Sequence, residues 1–414
     1  MLSTKKIIPY ALLALPLSFA TLPIYIYLPQ FYAQNFAINL QQIGLILLAC
    51  RLLDAFFDPL LGIFSDKYSH LKKKIIFFSA PILGVSFLML FAPQTGFNIG
   101  VWLFFSLFAT YFFFSLIQIN YQSLALSLSD NYNQKTKIVA MREGFGVAGI
   151  ILASIAPAIL LNYFSSPKTF LILGVFHLLA ICALAGLFYF FSHTPSKLNL
   201  EKPTKQKFSF LKISDLKKFF LLFFINSIAL SIPAVLILFF IEKVVDAKNF
   251  TGLFMSCYFF GLLAGIPLWA KIATILNNKI NAWKIAMSLV ILIFFCCYFV
   301  GKGDIIFYAT ICTLSGLCFG ADYCLSYSIL ADLIQENKLE KNETTIFGVI
   351  NFITKFSFSV ASGVLIFLLG KIQESQLVLE ESFLSFCYVI VSCLFKIFAL
   401  FVLINFSKKY APKL

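Results

Sequence analysis

Residues 47–68 read LLACRLLDAFFDPLLGIFSDKY, an apolar run that Arg51, Asp54 and Asp58 interrupt at intervals of three and four. On a helix that spacing puts all three on one face. A charge at the centre of a bilayer costs about 2.5–3.5 kcal/mol even on the gentlest scale, so three together need a reason. Two carboxylates one turn apart in low dielectric repel unless a cation or a proton is shared between them. One reading is a static network in which Arg51 neutralises one acid and locks two helices. The other is a titrating or ion-binding site, which is favoured because Arg51 cannot balance both acids.

The rest of the chain makes the bilayer the right setting. Of 414 residues, 60% are hydrophobic and 12% charged, and the mean hydropathy is +0.92, whereas soluble domains carry about 25% charged residues. At about 20 residues per spanning helix, the apolar content is enough for roughly twelve spans. Apolar runs fall at 8–28, 39–64, 75–92, 100–124, 143–163, 169–191, 219–240, 251–270, 283–300, 305–330, 345–369 and 383–406. They are continuous rather than alternating, which predicts helices and excludes a barrel. The longest polar stretch divides the chain into two six-helix bundles, residues 1–191 and 219–414, joined by a linker at 192–218. Lys5 and Lys6 precede an apolar run that is long and lacks a small-residue cleavage site, so it reads as the first span rather than a cleaved leader.

The net charge of +14 is mostly a topology signal. Of the 32 Lys and Arg residues, 24 fall on one side of the predicted spans and five on the other, with Arg51, Lys355 and Lys396 inside spans. By the positive-inside rule both termini are cytoplasmic. The basic residues then meet lipid headgroups, and nucleic acid is not an expected partner. The ten cysteines sit in apolar spans without a CxxC pair or a neighbouring His, so they read as packing residues and not as metal ligands.

Lys355 lies about ten residues into the eleventh span, or about 15 Å deep, and Asp322 and Asp54 reach similar depths. Lys355 could therefore meet Asp54, Asp58 or Asp322. Lys396, with no acid near it in sequence, reads as a weaker candidate able to snorkel along lipid. Ser115, Gln118, Asn120, Tyr121 and Gln122 interrupt the fourth span, and Ser115, Gln118 and Gln122 share a face. That face could line a cavity for a hydroxylated solute or bind a neighbouring helix. Arg142 and Glu143 open the fifth span, as substrate contacts or as a salt bridge to the cytoplasmic end of the fourth. Tyr25 and Tyr27 are cavity aromatics or packing residues.

At these residues the chain resembles the major facilitator superfamily, and within it the glycoside–pentoside–hexuronide:cation symporters, the family of the melibiose permease. RLLDAFFDPLLGIFSDKY matches the pattern R-x-x-D-A-x-x-D-P-x-x-G-x-x-x-D, and GIFSDKYSHLKKK is a degenerate form of the superfamily's loop motif, retaining Gly62, Asp66 and Lys67. MREGFGVAGI, WAKIATILNNKINAW and ILADLIQENKLEKNETTIFGVINFITKF resemble a bacterial branch of the family, and Lys355 falls on its span-eleven lysine. The resemblance implies an all-helical twelve-span fold with a midplane cavity, in the inner membrane of a bacterium. It implies a functional monomer without cofactors, not an enzyme, that moves a small sugar-like solute with H⁺ or Na⁺. It implies coupling at Asp54, Asp58, Ser115 and Lys355 with Arg51 beside them and puts Ser18 and Gln118 at the solute site; the residue reading adds Asp322 and Arg142 to the charge network and Tyr25, Tyr121 and Gln122 to the cavity. Any Na⁺ would sit at Asp54 and Asp58. Ser18 and Gln118 stand where the melibiose permease has sugar-binding acids, and Phe57 stands where it has a cation-site Asn. A galactoside is therefore not implied, and protons are favoured over sodium. The alternatives are a lysophospholipid or other amphiphile carrier, with a laterally open apolar cavity, and a non-transporting sensor.

Overall fold

A computed structural model describes residues 4–36, 38–94, 96–128, 132–192, 209–374 and 380–410 of the chain, and among them the regular secondary structure is entirely helical. Eleven of the described segments are long and apolar enough to cross a membrane. A further helix of 28 residues carries the Arg51, Asp54 and Asp58 stretch, and at 1.5 Å per residue it is about 42 Å long. The residues separate into two compact units. One comprises Met1–Lys207 with Lys338–Phe352, the other Phe208–Asn337 with Ile353–Leu414. Most of the predicted linker, residues 193–208, lies outside the described residues.

In the first unit the expected first span is not one rod. It runs as α1 (Thr4–Ala11), α2 (Ala14–Phe19), a π-helical turn at Pro23–Tyr27 and α3 (Leu28–Asn35). Proline supplies no amide hydrogen and clashes with the preceding turn, and Pro9, Pro16, Pro23 and Pro29 recur through this stretch. The segments that follow are regular: α4 (Leu40–Lys67), α5 (Lys72–Phe91), α6 (Ile99–Ser127), α7 (Tyr132–Leu160) and α8 (Ser166–Phe191). Asn39 caps α4 by accepting from the Gln42 amide, and Asn98 caps α6 by accepting from Gly100 and Val101, which satisfies amides that the first turn leaves without partners. α4 packs on α6, α6 on α5, α5 on α8, and α2 on α7. These pairings bring α2, α6 and α7 together and set α4 beside α6.

The second unit holds α9 (Ser214–Lys243), α10 (Thr251–Ile275), α11 (Lys279–Phe295), α12 (Ile305–Glu336), most of α13 (Glu343–Glu374), α14 (Glu380–Ser385) and α15 (Ser392–Tyr410). α10 crosses α12 at glycines. A Cβ at Gly265 would lie 2.1 Å from the Leu317 carbonyl oxygen, and one at Gly320 would lie 2.5 Å from the Gly265 carbonyl carbon. Small residues at such a crossing let the backbones approach, which is how helices gain contact where lipid offers no hydrophobic drive. α9 packs on α15, and α11 on both α12 and α15.

Candidate functional site

Asp54 and Asp58 are buried on α4, with Asp58 wholly inaccessible. Ser115 on α6 donates its hydroxyl hydrogen to Asp54 Oδ1 at 2.7 Å, so the α4–α6 packing delivers a neutral donor to one of the two acids. Pro59 follows Asp58 directly and withholds a backbone hydrogen bond from the turn that carries it. Phe57 points into rings, 5.9 Å from both Phe108 and Phe112. The position for which the resemblance implied an amide ligand is thus part of an apolar wall.

Arg51 is seated on an aromatic ring. Its guanidinium carbon lies 4.2 Å from the centroid of Tyr25, a cation–π contact, and Tyr25 belongs to the π-helical turn Pro23–Tyr27. Tyr25 was expected with the solute cavity; the structure groups it with the charges of α4 instead. A single linear sequence gives no sign of this, because the π turn resets which residues of the first span face α4.

The other expected cavity residues do come together. Ser18 on α2, Gln118, Tyr121 and Gln122 on α6, and Arg142 and Glu143 on α7 line one small recess that is open on one side. Arg142 donates from Nε to Glu143 Oε1 at 2.9 Å, and its Nη2 reaches the same oxygen. Arg142 therefore has its carboxylate partner at the recess, on its own helix. Tyr121 contributes ring surface while its hydroxyl is engaged elsewhere: it donates to the Tyr10 carbonyl at 2.7 Å, the Tyr10 hydroxyl donates to the Tyr121 carbonyl at 2.9 Å, and the ring centroids are 4.5 Å apart. This reciprocal pair ties α1 to α6. The polar residues of the fourth span thus divide by task. Ser115 serves Asp54, Gln118 and Gln122 face the recess, and Asn120 donates to Ser65 Oγ at 2.8 Å as a tie between α6 and α4.

The loop-motif residues hold the first turn of α13. Asp66 accepts from the amides of Thr344 and Thr345 at 2.9 and 2.8 Å and from the Thr345 hydroxyl, a carboxylate placed on the amides and positive end of a helix start. Lys72 forms a buried ion pair with Glu343. A Cβ on Gly62 would lie 2.6 Å from Thr345 Cα, so the approach depends on the missing side chain. Lys67 is exposed, 5.4 Å from the Tyr68 ring centroid; Lys72 is the buried cation of this junction. Sequence reasoning missed Lys72, Glu343, Thr344 and Thr345, although an acidic residue opening a predicted span was a usable signal.

In the second unit Asp322 meets Lys396 at 2.8 Å. Lys396 also donates to Asn226 Oδ1 at 2.7 Å, and Asn226 Nδ2 and Trp283 Nε1 donate to Asp322 Oδ1 at 3.0 and 2.9 Å. Lys396 is buried, which overturns its reading as a lipid-facing lysine. Its acidic partner lies 74 residues away in sequence, beyond the reach of local spacing. Asp322 therefore belongs to a network distinct from those of Arg51 and Arg142. Lys355 is half-buried, and its backbone carbonyl accepts from the Ser359 hydroxyl at 2.9 Å.

The sequence pattern of the MFS/sugar transport protein family matches residues 9–408. The chain belongs to that family. Among individual MFS relatives, it is similar to the isoprimeverose transporter of Lactiplantibacillus pentosus, 26% identical over 171 residues that cover 40% of this chain and 36% of that protein. It is also similar to a putative sulfoquinovose importer of Salmonella typhimurium strain LT2, 24% identical over 201 residues, 45% of this chain and 41% of that one. In both cases the match spans less than half of the relative's length. In fold the MFS chain resembles a bacterial homologue of the iron transporter ferroportin in its outward-facing state, with a TM-score of 0.75 and 16% identity over 98% of this chain and 99% of that one. A variant of the E. coli fucose:proton symporter matches with a TM-score of 0.68 and 14% identity over 95% and 99% of the two chains. The protein is thus a multi-pass membrane protein of a family of transporters rather than enzymes.

Proposed function

We propose that the chain is a secondary active transporter that carries a small hydroxylated solute, a sugar or glycoside-like compound, in symport with a proton or a sodium ion by alternating access. The observation that carries this reading is the recess where Ser18, Gln118, Gln122, Arg142 and Glu143 converge from three helices, in the same unit as the buried acids of α4. A polar lining suits a hydroxylated solute and argues against an amphiphile, which would want an apolar chamber. Two family relatives bear names of sugar-type transporters.

In this proposal a cation or proton at Asp54 and Asp58 relieves their mutual repulsion, Ser115 orients the first acid, and Arg51 supplies opposing charge; Lys355 keeps the coupling role that the family resemblance implies for it. Protons are favoured, because a hard cation wants several oxygen ligands and the Phe57 wall supplies none. The contacts of Asp66 and Lys72 with the start of α13 hold one state of the cycle and part in another. The lysine distribution sets both termini in the cytoplasm, and the expected setting is the inner membrane of a bacterium, with the monomer as the working form.

The test is reconstitution in liposomes, with isoprimeverose among the solutes offered and uptake driven by an imposed pH or sodium gradient. Asp58→Asn should reduce driven uptake to the level of empty liposomes while sparing exchange of internal for external solute. Gradient-driven uptake that survives this substitution would remove Asp58 from coupling. A purified protein that moves no solute while binding one would instead favour a sensor.

A further inference from the structure

Two side chains that line the recess each carry a hydrogen-bond acceptor without a donor among the described residues. Gln122 is buried, and its Oε1 has no hydrogen-bond partner among the described residues. Glu143 takes both of its Arg142 hydrogen bonds on Oε1, and its Oε2 accepts none among the described residues. An inaccessible acceptor without a donor costs about 1–3 kcal/mol, so a site that keeps one has a use for it. Both atoms belong to side chains that line the same recess.

The electrostatics narrow what can fill them. Arg142 and Glu143 form a pair whose side chains are 4% and 15% exposed, so the arginine's charge is already neutralised within the recess. The other polar groups around it, those of Ser18, Gln118 and Gln122, are uncharged. A solute bearing a carboxylate or sulfonate would bring its own acceptors and its negative charge against the open oxygen of Glu143, and would have to compete for an arginine already bound. A solute with adjacent hydroxyls has the opposite character: one O–H can donate to Glu143 Oε2, its neighbour to Gln122 Oε1, and their lone pairs can accept from the Gln118 amide or the Ser18 hydroxyl. An amine would satisfy the two acceptors but leave those donors idle.

We propose that Glu143 and Gln122 together select for an uncharged polyhydroxy solute, a neutral pentose, hexose or glycoside, and against uronic and sulfonated sugars. This rests on the reading of the recess as the solute site, and deepens it by assigning its charge preference to Glu143. A site built to hydrogen-bond a hydroxyl discriminates strongly, because a wrong ligand leaves its groups unpaired.

The experiment is a set of binding measurements on the purified full-length protein, by thermal shift and calorimetry. The probes are methyl β-xyloside, isoprimeverose, methyl glucuronide, sulfoquinovose and glucosamine. Wild type should bind a neutral probe and reject both anions. Glu143→Gln should weaken the neutral probe by roughly 10- to 100-fold, the equivalent of one hydrogen bond to a charged group, and should admit the anions, since Arg142 is then no longer neutralised. Gln122→Leu leaves the Arg142–Glu143 pair in place, so it stays informative if Glu143→Gln folds poorly; it should weaken neutral probes without admitting anions. Gln118→Phe fills the recess and should abolish all binding.

A wild-type preference for the glucuronide, sulfoquinovose or glucosamine overturns the proposal. So does neutral-probe affinity that is unchanged in Glu143→Gln and Gln122→Leu while Gln118→Phe abolishes it. Binding that persists in Gln118→Phe, or a wild type that binds none of the probes, removes the solute-site reading itself and this proposal with it.

Discussion

Asp322 in the second unit receives hydrogen bonds on both carboxylate oxygens, and Lys396 and Asn226 bond to each other as well as to it. The arrangement is a closed ring of partners spanning α9, α11, α12 and α15. The first unit has closed contacts of its own, Lys72 with Glu343 and Asp66 with the start of α13, but the groups around α4 and the recess are arranged differently. Asp54 takes a hydroxyl donor from Ser115, Arg51 lies over a tyrosine ring, Gln122 Oε1 at the recess has no hydrogen-bond partner among the described residues, and Glu143 receives its Arg142 hydrogen bonds on Oε1 alone. Both units bury charge; the Asp322 ring is completed by side chains of its own unit, whereas in the first unit the buried Gln122 carries an acceptor, Oε1, with no hydrogen-bond partner among the described residues. A satisfied network rigidifies its helices, while an unsatisfied one is costly unless a ligand completes it. On the proposed reading, the contrast distinguishes a scaffold network from the solute site.

The largest effect should come from opening the closed ring. Asp322→Leu leaves the Lys396 ammonium buried without its carboxylate, at a cost of about 3–5 kcal/mol, and should appear as a marked loss of melting temperature in detergent. Joining it with Lys396→Met removes both charges, and should recover most of that stability along with solute binding and gradient-driven uptake. A double variant that is stable but cannot couple uptake to a gradient would break the comparison, because the second unit would then hold working charge too.

The spacing of Arg51, Asp54 and Asp58 was legible because the information is local: one helix, one face, and a bilayer that penalises each charge. The apolar runs and their lysine-rich borders were legible for the same reason, as they depend on composition over about 20 residues. What stayed hidden depended on which helix faces which. Lys396 has no acidic neighbour in sequence, and only the packing of α15 and α12 on their shared neighbours reveals Asp322 as its partner. For Arg142 and Glu143 the sequence left substrate contact and salt bridge both open, because only the packing of α2 and α6 around α7 brings Ser18, Gln118 and Gln122 to the same recess. The contact of Tyr25 with Arg51 was hidden because four prolines break the first span, so the spacing of a regular 3.6-residue helix does not bring the two together.

A smaller effect should follow from Ser115→Ala, which deletes one hydrogen bond to Asp54 while leaving the ion pairs described for both units in place. Losing a hydrogen bond of this kind is worth on the order of 1–2 kcal/mol, so the concentration of driving ion that gives half-maximal uptake should shift by roughly tenfold. Binding of a neutral sugar in the absence of a gradient should change little. Thermal stability should fall far less than in Asp322→Leu, since Ser115 is a single neutral partner rather than half of a buried pair. A sugar affinity that falls in parallel with the ion response would mean that the coupling cluster and the recess are one site, and would blur the division between them.

The smallest effect, and the sharpest test of where the working site ends, belongs to Tyr25. A cation–π contact at a partly exposed ring contributes about 0.5–1 kcal/mol, and Tyr25 is 45% exposed. Tyr25→Leu should therefore alter the ion response by only about two- to fivefold and leave the choice between neutral and anionic sugars untouched, because its ring sits under Arg51 rather than at the recess. Tyr25→Phe keeps the ring face and should behave as wild type, which distinguishes a seat for the guanidinium from a hydroxyl that binds solute. If Tyr25→Phe instead changes sugar preference while the ion response holds, the phenol belongs to the solute path, and the π-helical turn has a second duty beyond positioning Arg51.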